Sequence, residues 1–197
     1  MKGVRHMGTI FVAGTYGVGK STLCAKLSQL MKIPDFSAGD IISAVNGENY
    51  GANKVVADKN ANQSILAIQV KKLLKTIPNI ILAGHFCIFD SNGNVDYLPN
   101  SVFYDLEIKK ILLLEAPISQ IAKNLSMRDK KDYSEKQIQL LQKAEAQKAN
   151  EVATNINCKL YVHHMLFNET DISSCLSYLE GGKTNYEGFA GYKHNHS

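Results

Sequence analysis

Residues 9–22 read TIFVAGTYGVGKST, a short apolar run followed at once by a turn with three glycines and a lysine, which the hydroxyl side chains of Ser21 and Thr22 follow. No other stretch constrains the fold as much. The run Thr9–Ala13 has the apolar, β-branched character of a buried strand. Glycines at Gly14, Gly17 and Gly19 let the backbone wrap with its N–H groups pointing inward. Helical spacing follows from Lys20 to about Met31. The pattern G-x-x-x-x-G-K-[ST] is met without a gap from Gly14 to Ser21, and between a strand and a helix it is a phosphate-binding loop. The helix adds the positive end of its dipole. In such a loop Gly14, Thr15, Tyr16, Gly17, Val18 and Gly19 form the cradle and Lys20 reaches the β- and γ-phosphates. Ser21 places its hydroxyl on Mg²⁺, and Thr22 lies near the α-phosphate. The expected ligand is a nucleoside triphosphate, ATP foremost, with Mg²⁺. The sequence contains no N-K-x-D guanine-reading motif.

Further apolar runs alternate with helix-period segments. Residues 32–37 are a short strand candidate, and residues 46–62 are polar and read as loop or irregular helix. Helix spacing returns from Gln63 to Ile77, and Pro78 stops it. Residues 80–89, IILAGHFCIF, read as one strand running past its own glycine, with an Asn/Gly turn at 90–96. A buried strand is expected at 109–115, with Pro117 opening the next helix. Ser134 and Gln137 form a capping-box pattern for a long helix to about Thr154. A last strand at 159–164 precedes a helix capped by Thr170 or Asp171 and ended by Gly181-Gly182. The expected fold is α/β and three-layered, a five-stranded parallel sheet flanked by helices. Residues 1–180 are expected to form one domain and 181–197 a loose tail.

Composition narrows the partners. No apolar run approaches the ~20 residues that span a bilayer, so a cytoplasmic protein with no membrane partner is expected. Cys24, Cys87, Cys158 and Cys175 are scattered and read as reduced thiols. His163 and His164 are adjacent and would point to opposite faces of a strand, which argues against a shared metal. The net charge of +4 suits phosphate-bearing small molecules. No basic-aromatic stripe supports nucleic acid as a partner. Of the 22 basic residues only Arg5 and Arg128 are arginine. A site built from many guanidinium forks is therefore out of reach.

Followed by FSAGDIIS at 36–43, the loop resembles that of the nucleoside-monophosphate kinases, the adenylate kinases above all. Their acceptor segment is S-T-G-D-x-L-R. Ser37, Gly39, Asp40 and Ile42 fit it, Ala38 replaces its threonine, and Ser43 replaces its phosphate-holding arginine. The resemblance implies acceptor binding by Ser37, Gly39 and Asp40. Where those kinases typically have D-G-F-P-R, this chain has Ala83-Gly84-His85-Phe86-Cys87. Residues 84–99 are closer to the archaeal-type and nuclear adenylate-kinase-like branch, and to uncharacterised bacterial ATP-binding proteins near it. IAKNLSMRD, at 121–129, is similar to the segment leading to the family's lid, with Arg128 in place and Asn124 where a first arginine is common. The likeness spans roughly residues 8–165.

From these residues two roles beyond the loop are expected. Arg128 would neutralise charge on the moving phosphoryl group, and His85, past a strand end, would orient a water or accept a proton. Asp40 has an alternative role as a helix N-cap, and Glu115 is a strand-end carboxylate that could organise Mg²⁺. Lys54, Lys59, Lys71 and Lys72 are cations that could approach the acceptor. The leading functional expectation is transfer of the ATP γ-phosphoryl group to a nucleoside monophosphate or related small phosphorylated acceptor. The alternative is an ATPase or nucleotide-dependent switch that serves a protein partner.

Overall fold

The computed structural model describes residues 8–46, 59–90 and 92–181. The elements in chain order are β1 (Gly8–Gly14), α1 (Lys20–Met31), β2 (Asp35–Ser37), α2 (Ala38–Asn46), α3 (Lys59–Leu74), β3 (Asn79–Ala83), β4 (Cys87–Phe89) and β5 (Val95–Tyr97). Then come α4 (Asn100–Asp105), β6 (Ile108–Glu115), α5 (Ile118–Asp129), α6 (Glu135–Asn155), β7 (Lys159–His164) and α7 (Glu169–Glu180). Five strands form one parallel sheet in the order β2-β3-β1-β6-β7, and β4 with β5 makes a separate antiparallel hairpin.

The central strands β1, β3 and β6 carry apolar runs, Ile10–Ala13, Ile80–Ala83 and Ile111–Leu114, because both sheet faces are covered there. Along β1, Phe11 and Ala13 face one core while Ile10 and Val12 face the other. Along β6, Ile111 and Leu113 alternate with Leu112 and Leu114 in the same way. Leu66 and Val70 of α3, Val102 of α4 and Leu141 of α6 fill the first core. Leu23 and Leu27 of α1, Ile121 of α5 and Leu179 of α7 fill the second. Truncating a fully buried leucine such as Leu113 to alanine would cost about 2–5 kcal/mol.

The local punctuation follows the sequence at some ends and departs at others. Ser134 Oγ accepts the Gln137 N–H at 3.4 Å, and Gly181 ends α7 at φ 89°. Helix α5 starts at Ile118, directly after Pro117. The expected strand at 80–89 is two pieces. β3 stops at Ala83, and the Gly84 N–H makes a final bond to Val12 O at 3.0 Å. Phe86 then turns inward, its ring 5.2 Å from that of Phe11 and 4.9 Å from that of Phe103. Burying that ring pulls the chain off the sheet, so residues 87–89 pair with 95–97 instead. Asp90 builds the turn between them, its Oδ1 accepting N–H groups of Asn92 and Asn94 at 2.9 and 2.8 Å.

Two expected caps also shift. Helix α2 begins at Ala38, and Ser37 Oγ accepts the Asp40 N–H at 3.4 Å. Ser37 is therefore the cap, and Asp40 sits in the first turn, where a carboxylate is favoured by the dipole. At α7 the cap is Asn168, whose Oδ1 accepts the Thr170 N–H, while Asp171 Oδ2 accepts the Asn168 N–H. In the stretch expected as loop, α3 already begins at Lys59, and residues 47–58 lie outside the described residues. So does the expected tail beyond Gly181.

Candidate active site

After β1 the chain builds one side of the sheet with β2 and β3, then crosses to the other with β6 and β7. That reversal places a crevice at the carboxyl end of β1. The glycine-rich turn lies there, beside the end of β3.

The turn has the geometry of an anion cradle. Gly14 has φ 140°, and a Cβ there would lie 2.4 Å from Leu114 O. Gly17 has φ 76°, and a Cβ would lie 2.7 Å from Leu125 Cγ. Neither position accepts a side chain. Gly19 is the N-cap of α1 and offers no side-chain cap, so no side chain of its own occupies the positive end of the helix. Lys20 Nζ donates to Gly14 O at 2.6 Å and Thr15 O at 2.9 Å, folding the ammonium over the turn. Thr15 Oγ1 is buried without a hydrogen-bond partner among the described residues. An orphaned hydroxyl and a lysine closed over the turn fit a phosphate chain. From the far side, Asn124 Nδ2 donates to Gly17 O at 2.9 Å, and Gln120 holds Asn124 in place at 2.8 Å.

A cavity of about 600 Å³ opens from this turn. Gly17, Gly19, Lys20, Ser21 and Thr22 form its floor. Asn124, Arg128, Met165 and Phe167 rim one end. Ser37, Gly39, Gln63 and Leu66 line the cavity too, as does His85, which follows β3, the strand between β2 and β1. Gln63 Oε1 is buried there without a partner among the described residues. A second, smaller cleft brings Ser21 together with Asp35 and Asp40.

Of the residues expected to hold an acceptor, Ser37 and Gly39 line the large cavity, whereas Asp40 faces the smaller cleft. Ser43, where the resemblance expects an arginine, donates its hydroxyl back to Gly39 O at 2.8 Å. Arg128 reaches the rim, but its guanidinium forks onto Asp129, with Nε to Oδ1 at 2.6 Å and a terminal nitrogen to Oδ2 at 2.7 Å. Tyr133 donates its hydroxyl to the same carboxylate. The Arg128 bonds, then that of Tyr133, hold the Asp129 carboxyl well below the usual range.

The other candidates go elsewhere. Glu115 ends β6 beside His164, 3.4 Å away, and does not line the cavity. Lys71 pairs with Asp105 at 2.6 Å, and Lys72 is exposed. The side chains of Lys54 and Lys59 lie outside the described residues. His163 is buried against Asp171 at 2.8 Å while His164 is exposed, and no metal-ligand cluster forms among the described residues. Burial pushes the thiols of Cys24 and Cys175 up to about 12, so neither is a nucleophile at neutral pH.

Sequence reading missed Glu145. Its carboxylate is buried under the turn after β3, where Oε2 accepts the Phe86 N–H at 3.0 Å and Oε1 meets His85 Nδ1 at 3.0 Å. On its other side His85 lies against Tyr16 of the glycine-rich turn, with ring centroids 4.2 Å apart. Burial, then the nearby Glu145 charge, pushes the Tyr16 hydroxyl up to about 12. A signal did exist. Glu145 falls four residues after Leu141 and seven before Val152, on the stripe that α6 buries. A carboxylate on an apolar stripe requires dedicated donors.

Residues 13–142 match the family model described as AAA domain. No curated protein matches the chain in sequence. Solved structures share the fold at low identity. A shikimate kinase from Bacteroides thetaiotaomicron superposes with TM-score 0.54 at 14% identity, covering 88% of this chain and 96% of that one. A sugar kinase from Janibacter sp. HTCC2649 gives 0.58 at 15%, with 88% and 95% covered. A gluconokinase from Sinorhizobium meliloti 1021 gives 0.53 at 11%, with 89% and 95% covered.

Proposed function

The chain belongs to the AAA domain family, and from that premise we propose that it is an ATP-dependent phosphotransferase acting on a small acceptor. One observation carries the reading. The glycine-rich turn, His85, and Ser37, Gly39 and Gln63 all line one cavity of about 600 Å³. The cradle from Gly14 to Gly19 would hold the triphosphate, and Lys20 would leave its two carbonyls for the β- and γ-phosphates. Thr22 would follow the α-phosphate. Ser21, with Asp35 and Asp40 on its cleft, would hold Mg²⁺. Magnesium there would neutralise charge on the β- and γ-oxygens. Arg128 would turn from Asp129 towards the moving group once the nucleotide is bound. Ser37 and Gly39 would position the acceptor, with Gln63 Oε1 taking a donor from it.

The acceptor is the finer question. The resemblance to nucleoside-monophosphate kinases makes a monophosphate the first candidate, and the shikimate kinase, gluconokinase and sugar kinase of like fold make hydroxylated acids and sugars the next. Ser43, bonded back to Gly39 in place of an arginine, favours the second group. An enzyme spending ATP in this way belongs in the cytoplasm. The other reading is a slow ATPase that serves a protein partner, favoured by the guanidinium of Arg128 being held on Asp129.

ADP formation from ATP and magnesium, with each nucleoside monophosphate, shikimate, gluconate and simple sugars in turn, tests this. Stimulation above the water rate by one acceptor supports the kinase. A rate indifferent to all of them supports the ATPase, and no ADP under any condition overturns both.

A further inference from the structure

We propose that Glu145 is a positioning residue that fixes the proton of His85 on Nδ1 and so presents Nε2 to the cavity as the proton acceptor of the reaction. The inference rests on the phosphotransferase reading with water or a hydroxyl-bearing acceptor, since a monophosphate attacks through an oxygen that has no proton to lose, and it assigns the base within that reading.

The geometry leaves the carboxylate little choice. Glu145 has a side chain only 1% exposed, on the buried stripe of α6. A buried carboxylate is an acceptor on both oxygens and needs N–H donors. Oε2 has the Phe86 N–H at 3.0 Å. Oε1 has the Cys87 N–H at a long 3.5 Å and His85 Nδ1 at 3.0 Å. An unprotonated Nδ1 would set one lone pair against another at that distance. A protonated Nδ1 satisfies the carboxylate and leaves the basic lone pair on Nε2. The ring cannot swing away, because Tyr16 packs on it with centroids 4.2 Å apart. Tyr16 belongs to the phosphate-binding turn, so the imidazole is fixed relative to the cradle.

The acceptor hydroxyl gives its proton to His85 Nε2 as its oxygen bonds to the γ-phosphorus. The bond from that phosphorus to the β,γ-bridging oxygen breaks, and ADP leaves with the electron pair. The imidazolium is matched by the Glu145 carboxylate until its Nε2 proton passes to solvent. With water in the cavity the same step is ATP hydrolysis.

Two measurements on the full chain test this. Nitrogen-15 imidazole spectra in mildly alkaline buffer, with His85 assigned by its loss in His85→Asn, should show protonated Nδ1 and unprotonated Nε2. Glu145→Gln should abolish that single tautomer. The turnover of ATP, with water as acceptor, should fall about 100-fold in both His85→Asn and Glu145→Gln. KM for ATP should stay within about twofold, and the double variant should be no slower than either single one. A wild-type His85 protonated on Nε2, or a folded Glu145→Gln that keeps full turnover, overturns the proposal. A wild type without turnover on any acceptor removes the phosphotransferase reading instead, and the spectra then decide the tautomer alone.

Discussion

Arg128 lies on the rim of the crevice beside the glycine-rich turn, yet its guanidinium grips the carboxylate of the next residue, Asp129, through two bonds of 2.6 and 2.7 Å. An arginine parked in this way is positioned to exchange one anion for another. Arg128→Ala should lower turnover about 100-fold with little change in ATP affinity. Arg128→Lys should restore less than about a tenth of the rate, because an ammonium cannot reproduce the fork. Steady-state kinetics settle the matter, and an alanine variant at full speed would remove Arg128 from the reaction.

Gly17 has no room for a methyl group, with Leu125 at 2.7 Å and a positive φ of 76°. Gly17→Ala should push α5 from the turn, weaken ATP binding more than about tenfold and cost about 1–3 kcal/mol of stability. Chemical denaturation and nucleotide titration read the two effects separately.

Asn124 reaches from α5 to Gly17 O. Asn124→Ala removes that donor and should cost about 1 kcal/mol, seen as an ATP affinity several-fold weaker. A variant that binds ATP as tightly as the wild type would show that the turn holds its shape unaided.

Asp171 links β7 to α7. Burial alone would raise its pKa, but N–H donors from Leu166 and Asn168 and the contact with His163 outweigh it, and the net shift is downward. A carboxyl with a depressed folded-state pKa contributes stability above its unfolded value, about 4, and loses it as pH falls through the folded value. Asp171→Asn should cost about 3 kcal/mol near neutrality and flatten the acid limb of the stability profile below pH ~4. Urea denaturation across that range checks the sign, and an acid limb as steep as that of the wild type contradicts it.

The glycine-rich turn was legible because a tight wrap admits few residue types, and Gly14 and Gly17 meet steric limits that only glycine passes. The parallel sheet was legible for a similar reason, since a strand covered on both faces needs an apolar run, as Ile10–Ala13 of β1 and Ile111–Leu114 of β6 provide. Residues 80–89 were misread as one strand because an apolar run does not reveal where it leaves a sheet. The departure is set by Phe86 packing on Phe11 and Phe103, residues distant in the chain. Glu145 was missed for the same reason, its partners lying some 60 residues away. Asp40 reads equally as an acceptor ligand or as a cap; Ser37, three residues earlier, is as good a cap, and the choice between them depends on where β2 ends.

The central claim is that the turn from Gly14 to Thr22 holds a nucleoside triphosphate under Lys20. Isothermal titration of the purified chain with ATP and magnesium should show saturable heat at one site per chain, and Lys20→Ala, folded by circular dichroism, should show none. Absence of heat from the folded wild type with any nucleoside triphosphate, or unchanged binding by Lys20→Ala, would contradict it.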